Sequence, residues 1–305
     1  MDAIQQELLA QVAGLHEVPE GAYNIRANGE MAGRNTTANI DITTKEDCPG
    51  IDIRIKPGTK SESVHIPVVL SQSGLQESVY NDFFVGEDCD VTIIAGCGIH
   101  NGGSAASAHS GIHRFFVEKN AKVRYVEKHY GAGDGSGEKI MNPTTEIHLA
   151  EGAFLEMETV QIKGIDSTAR TTTANVAEGA SLVIKEKIMT HGKQYAETDF
   201  TVNMAGADSS VNLISRSVAK ERSRQIFRSR IVGNASCHGH SECDAIIMDE
   251  ASVSAIPELT ANHIDANLIH EAAIGKIAGE QLIKLMTLGL TEKEAEEQIV
   301  KGFLK

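Results

Sequence analysis

Three patterns of hydrophobic and polar positions follow one another along the chain. Residues 1–20 predict a short helix, because their apolar residues recur about every three or four positions: Ile4, Leu8, Leu9, Val12 and Leu15. Residues 21–271 consist of short runs in which apolar or β-branched residues alternate with polar ones, separated by small turn residues, and this predicts strands. Residues 272–305 return to helical spacing. We therefore expect an all-β core between two helical ends.

A two-residue turn signature recurs within the strand-rich part. It reads Gly-Ala or Asn-Ala, and four copies begin at residues 152, 179, 206 and 234, which are 27, 27 and 28 residues apart. A fixed step of this size is typical of a solenoid, in which each coil covers the apolar face of the previous one. A β-helix is the fold that the repeat favours, and a β-sandwich with similar loops is the alternative.

The C-terminal part predicts a helical hairpin. Its first helix covers residues 272–288, with Gly289 as the stop signal. The second covers residues 292–304 and begins with a capping box formed by Thr291 and Glu294. The apolar seam between the two helices serves either to cover the end of the solenoid or to dock a partner.

Composition narrows the class of protein. The chain has 28 Lys and Arg against 42 Asp and Glu, a net charge of −14, and no Trp. Such a chain lacks the positive charge that neutralises phosphates, so we expect no nucleic-acid partner. The N-terminus does not read as a signal peptide, and no apolar run approaches the roughly 18–20 residues that cross a bilayer. We expect a cytoplasmic protein without a membrane partner.

Cysteine usage predicts free thiols. The five cysteines are odd in number and lack regular spacing: Cys48, Cys89, Cys97, Cys237 and Cys243. Cys97 lies between Gly96 and Gly98, so another group can approach its thiol closely, and His100 or His113 could lower its pKa. The alternative interpretation is a small residue that fills a tight turn.

The segment 237–243 holds the densest set of side chains that can bind metal. In a strand, Cys237 and Cys243 lie on one face, whereas the imidazoles and the carboxylate between them lie on the other. One extended strand therefore cannot place all of them around one ion. The cysteines are also further apart than the two-residue gap of a zinc knuckle allows. A buried structural cysteine beside surface histidines is the alternative.

A second set of candidate donors follows in the chain. His270 and Glu271 are adjacent nitrogen and oxygen donors, suited to metal ligation or to a base with its orienting partner. The zinc-protease motif requires a second histidine four residues after the first, and position 274 is Ile. That motif is excluded.

Three parts of the chain, taken in order, resemble the SufB/SufD family, the scaffold proteins of the SUF iron–sulfur cluster assembly system. The most telling motifs are Ala-Gly-Cys97, His240-Ser-Glu-Cys-Asp-Ala-Ile246 and Ile269-His-Glu-Ala272. The matching residues are 95–97, 111–117 and 121–125, then 227–231 and 240–246, and finally 256–259, 269–272, 279–282, 289–290 and 302–303. The resemblance covers about residues 60–305. It implies a right-handed parallel β-helix with a C-terminal helical region.

The resemblance also implies roles for particular residues. Cys97 matches the thiol that receives sulfur, and Cys243 matches the interface cysteine at which the cluster forms. His270 and Glu271 match the His-Glu pair of the family and are expected to hold the cluster with Cys243. His240 is a further candidate ligand. The cargo is a transient Fe–S cluster, and the sequence leaves open whether a flavin binds.

The resemblance implies three kinds of partner. Residues 272–305 are expected to dock a SufC-type ABC ATPase. The β-helix is expected to pair with another, as a homodimer or as a SufB/SufD-like heterodimer. A cysteine desulfurase or another donor supplies the sulfur.

We therefore interpret the chain as an assembly scaffold rather than an enzyme. It has no Walker motif, so the ATPase activity is expected in the partner. One alternative is a structural partner of SufC that holds no cluster. Another is a β-helix enzyme that acts on polysaccharides, against which the missing Trp and the missing export signal both count.

Overall fold

Most of the chain forms strands about ten residues long in which every second side chain is buried. The computed structural model describes residues 1–305. Strictly alternating sequences cannot bury both faces, so the strands stack with their apolar faces around a common interior. The result is a parallel β-helix of two ten-stranded sheets, and the predicted all-β core with helical ends is confirmed.

Each coil of the β-helix contributes strands to both sheets. Sheet A contains, in spatial order, β2 (Glu30–Asn35), β1 (Ala22–Ala27), β5 (Lys60–Leu70), β7 (Asp90–His100), β9 (Lys122–Ala132), β12 (Phe154–Lys163), β14 (Ser181–Thr190), β16 (Ser209–Ala219), β18 (Cys237–Ile247) and β20 (Ala266–Gly275). Sheet B contains β19 (Ser252–Ala261), β17 (Arg224–Gly233), β15 (Tyr195–Met204), β13 (Ser167–Val176), β10 (Lys139–Met141) with β11 (Thr144–Leu149), β8 (Ser107–Val117), β6 (Gln76–Val85), β4 (Gly50–Ile55) and β3 (Ile40–Thr44). From β12 to β20 the strands of sheet A begin 27 to 29 residues apart, so the repeated turn signature marks the coils.

The interior has an apolar side and a polar side. Along the strands of sheet A the first inward-facing residues are apolar, as Leu182 and Ile184 are in β14. Polar ones such as Glu186 follow, with apolar residues such as Ile188 among them. The apolar side is filled by stacked side chains such as Phe83 and Phe115, whose ring centroids are 4.5 Å apart. The polar side therefore concentrates buried hydrogen-bonding and charged groups along the length of the β-helix.

The N-terminal end of the β-helix is covered. Two antiparallel pairs, β1 with β2 and β3 with β4, replace the parallel ladder there. Helix α1 (Ala3–Ala13) buries Leu8 and Val12 on the outer face of sheet A. It can lie flush on β7 because Gly96 and Gly98 carry no side chains: a Cβ at Gly96 would lie 2.6 Å from the Val12 carbonyl oxygen.

The C-terminal end is open. The last strands, β19 and β20, each have one edge without a partner strand. Four large apolar side chains on them are at least one-third exposed: Ile256 45 %, Leu259 37 %, Ile269 46 % and Ile274 39 %. A long apolar strand edge is a surface on which another chain pairs, unless it is covered.

The helical hairpin differs from the prediction in one respect. Its helices are α2 (Gly279–Met286) and α3 (Glu292–Phe303), so the first helix begins seven residues later than position 272. Residues 272–275 instead continue β20, because they pair in register with residues 243–246 of β18. The capping box at Thr291 and Glu294 is present, and α3 packs through Val300 onto the core. None of the helices combines the length and the apolar character that crossing a membrane requires.

Candidate functional site

Cys97 points into the polar side of the interior. It lies on β7 and is 5 % exposed. Its register partner on β9 is His129, and His109 faces it from β8 on the opposite sheet. The thiol thus interacts with two imidazoles, His109 and His129, that are themselves at most 5 % exposed.

His109 is fixed on its other side by a carboxylate. Its Nδ1 lies 3.1 Å from Oε1 of Glu77 on β6, and Arg26 lies 3.4 Å from the other oxygen of Glu77. Burial alone would lower the pKa of His109, but the Cys97 thiolate and Glu77 together raise this pKa to about 10. His109 therefore carries a proton at neutral pH.

His129 has its own carboxylate. Its Nε2 lies 3.5 Å from Oε1 of Glu127, and its Nδ1 lies 3.2 Å from the amide oxygen of Gln161. Glu127 also accepts a hydrogen bond from Arg170 at 2.8 Å. Burial opposes the charge on His129, yet Glu127 and Cys97 raise the pKa of His129 to about 9.

The two imidazolium groups change the chemistry of the thiol. Burial raises the pKa of Cys97, but hydrogen bonds and charges from His109 and His129 outweigh it and lower this pKa to about 7. The expectation that His100 or His113 would do this is wrong. His100 lies three residues from Cys97 and so on the other face of β7, and His113 bonds to Asn81 and Tyr125 instead.

The shifted pKa predicts an unusual pH profile for Cys97. A thiolate reacts and a thiol does not, so the alkylation rate of Cys97 should rise with pH and reach half of its maximum near pH 7. Iodoacetamide labelling at a series of pH values, read by peptide mass spectrometry, measures this profile. Cys48 is the internal control: partial burial and Asp47 raise its pKa, so its profile should lie at higher pH than that of Cys97. Coincident profiles for the two cysteines would contradict the prediction.

A row of inward-facing polar residues runs from the neighbourhood of Cys97 towards the other end of the β-helix. Parallel register aligns the row across five strands of sheet A: Glu127, Thr159, Glu186, Ser215 and Cys243. Glu186 accepts hydrogen bonds from Thr198 at 2.8 Å and from Ser215 at 2.9 Å. Five strand spacings separate the strands of Cys97 and Cys243, which is about 24 Å.

Cys243, like Cys97, is a buried cysteine that faces inward from sheet A, but its pKa is shifted in the opposite direction. It is 1 % exposed and faces inward from β18. Burial, with the nearby carboxylates of Glu186 and Asp244, raises the pKa of Cys243 to about 12. The thiol is therefore protonated at neutral pH, in the strand next to the open edge.

The other predicted ligands are divided between the two faces of sheet A. His270 on β20 faces inward, as Cys243 does, and pairs in register with Ser241. Glu271 faces outward, and its Oε2 lies 3.5 Å from Nε2 of His240. The alternation predicted for residues 237–243 is thus observed, and within one chain Cys243, His270 and Glu271 do not surround one point. No group of three or more His, Cys, Asp or Glu side chains is arranged to hold a metal ion.

The sequence analysis did not identify His109 and His129 as the groups that act on Cys97. A further Asn-Ala pair begins at Asn120, which is 32 residues before the turn signature at Gly152. His129 likewise lies 32 residues after Cys97. That local step would have placed His129 beside Cys97. Arg170 and Glu186 had no such signal, because charged residues on inward positions look like surface residues until the coil is closed.

Comparisons with known proteins agree with this architecture. Residues 73–303 match the SufBD core domain of the SUF system FeS cluster assembly. An iron–sulfur cluster assembly SufBD family protein of Archaeoglobus fulgidus is 33 % identical over 265 residues, which are 85 % of this chain and 69 % of that protein. A relative described in the same words from Methanothermobacter thermautotrophicus is 28 % identical over 84 % of this chain and 62 % of its own length. One from Pyrococcus horikoshii is 26 % identical over 96 % of this chain and 84 % of its own length. The chain belongs to the SufBD family of iron–sulfur cluster assembly proteins.

Proposed function

We propose that this chain is a scaffold subunit that accepts sulfur at Cys97 and builds a transient Fe–S cluster near Cys243. The observation that carries the proposal is the buried Cys97 thiol between two imidazoles, each held by a carboxylate. Sulfur transfer between thiols requires an attacking thiolate, and this arrangement keeps a large fraction of Cys97 in that form at neutral pH. A structural cysteine in an apolar core would have a raised pKa instead, as Cys237 has because of burial.

Cluster building is proposed at the open end. Cys243, His270 and His240 lie on the last two strands of sheet A, and Glu271 lies beside His240. Permanent Fe–S clusters are usually held by four thiolates. A set of ligands that mixes one cysteine with histidine and carboxylate binds a cluster less firmly, which suits a product that must be released. Docking of a second β-helix on the open edges, from another copy of this chain or from a homologous one, would double this set.

An ATPase partner is proposed at the helical hairpin. Three apolar side chains in or directly after α2 are exposed: Ile283 62 %, Met286 42 % and Leu288 76 %. Solvent-exposed apolar residues clustered on one short helix are typical of a docking surface. The SufC-type ATPase is the partner that family membership suggests, and its nucleotide-driven movement would open or close the paired β-helices.

Anaerobic reconstitution with iron, a cysteine desulfurase and cysteine tests the cluster site. We expect the wild-type chain to develop the visible absorption of an Fe–S cluster and the Cys243→Ser variant to lose most of it, because serine supplies no thiolate. Cys237→Ser is the matched control, since Cys237 is a buried, inward-facing cysteine on the same strand. Equal absorption in the wild type and in Cys243→Ser would refute the site, and equal loss in both variants would assign the effect to folding.

A further inference from the structure

The two imidazoles beside Cys97 differ in what holds their charge. His109 has a carboxylate partner on Nδ1 alone, Glu77 at 3.1 Å, so its Nε2 is left to interact with the Cys97 thiolate. His129 has a protein partner on both ring nitrogens: Glu127 lies 3.5 Å from Nε2 and Gln161 lies 3.2 Å from Nδ1, and Glu127 is anchored by Arg170 at 2.8 Å. The thiolate that interacts with His109 therefore disappears when Cys97 reacts, whereas the carboxylate that pairs with His129 stays.

This difference has a chemical consequence. When the thiolate forms a bond to sulfur, its negative charge is lost and His109 becomes a stronger acid, while His129 remains an imidazolium. On the basis of the proposed function, we infer that His109 donates the proton to the departing thiol of the sulfur donor, that Glu77 positions His109 for this step, and that His129 stays charged beside the transferred sulfur.

The reaction balances without an oxidant or a reductant. The Cys97 thiolate attacks the outer sulfur of a persulfide R–S–SH, the S–S bond of the donor breaks, and a new S–S bond forms on Cys97. The departing thiolate takes the proton of His109 Nε2 and leaves as R–SH. The terminal S–H of the new persulfide then returns its proton to His109, which leaves an anionic persulfide next to His129.

The surroundings of His109 suit a proton donor. Glu77 holds Nδ1 at 3.1 Å, which leaves Nε2 as the ring nitrogen available to the thiol. On β8 the next inward residues are Gly111 and His113, and Gly111 leaves room chiefly for the His113 ring, since a Cβ there would lie 3.1 Å from Nε2 of His113 and 3.5 Å from Nε2 of His109. The other charged or titratable groups that face this cluster from the packed strands are Arg26, His113, Tyr125, Glu127, His129, Arg170 and Glu186.

The inference predicts a bell-shaped pH profile for sulfur loading. Loading requires the Cys97 thiolate and the protonated His109, so the rate should rise near pH 7 and fall near pH 10. The substrate is glutathione persulfide, and the readout is the mass gain on the Cys97 peptide in single-turnover experiments. Glu77→Gln should move the falling limb to lower pH, and Glu77→Asp should restore it in part. His129→Gln should leave that limb in place.

A second measurement identifies the proton donor. In the wild type, loading rates from persulfides with donor thiols of different acidity should be nearly equal, because His109 protonates the leaving group. His109→Gln should make the rate depend strongly on this acidity, whereas His129→Gln and the matched control His113→Gln should not. His113 is a buried imidazole on the same strand that bonds to Tyr125 at 2.7 Å.

Two results would overturn the inference: a strong dependence on donor acidity in the wild type, or a falling limb that moves with His129→Gln and not with Glu77→Gln. The dependence on donor acidity is measured in the wild type, so it tests the inference even where a substitution prevents folding. Failure of the proposed function looks different, because Cys97 would then gain no sulfur from any donor.

Discussion

Replacement of Arg170 by leucine is expected to lower the free energy of unfolding by about 3–5 kcal/mol, the usual cost of removing one partner from a buried ion pair. Arg170 is 6 % exposed and lies 2.8 Å from Glu127 and 3.7 Å from Glu186. Without it, Glu127 keeps the His129 imidazolium as a partner, but the buried Glu186 loses the cation beside it. Urea denaturation followed by circular dichroism measures the change.

The control for this prediction is Arg228→Leu. Arg228 lies 3.0 Å from Glu197, but their side chains are 40 % and 30 % exposed, so water screens the pair. Its loss should cost at most about 1 kcal/mol. In the Arg170→Leu background, adding Glu186→Gln should recover part of the stability, because Arg170 is the only cation beside Glu186 and the substitution removes the unpaired charge. If Arg170→Leu and Arg228→Leu cost the same, the buried network does not contribute in the way described.

Replacement of Cys97 by serine is expected to reduce sulfur loading to background. A serine hydroxyl stays protonated at neutral pH and cannot form a stable persulfide, even between His109 and His129. After incubation with glutathione persulfide, total protein-bound sulfane sulfur, measured by cold cyanolysis, should fall in Cys97→Ser. It should stay near the wild-type level in Cys89→Ser, which removes another buried cysteine. Full loading of Cys97→Ser would place the acceptor elsewhere.

The architecture could be predicted from the sequence because it is repeated. The turn signature fixes the coil length, and alternation fixes which residues face the interior, as for Cys237 and His238. The boundary at residue 272 could not be predicted, because the segment from Ala272 to Ile274 suits a helix as well as a strand. Pairing with β18 decides it, and that is a long-range effect.

The site could be predicted only in part. Cys97 and Cys243 were identified through resemblance to a family, whereas the groups that set their reactivity were not. His109 reaches Cys97 from the opposite sheet, and Glu186 lies in the same inward-facing row as Cys243, two strands away. Such contacts depend on how the coils close, and neither local propensity nor short motifs encode them.

The order in which sulfur appears on Cys97 and in a cluster tests the central proposal most directly. Wild-type protein is incubated anaerobically with iron, a cysteine desulfurase and isotopically labelled cysteine, and samples are split between peptide mass spectrometry and visible absorption. We expect labelled persulfide on Cys97 before absorption develops, and we expect it to accumulate without absorption in Cys243→Ser. A cluster that forms at the wild-type rate while Cys97 stays unmodified would contradict the proposal.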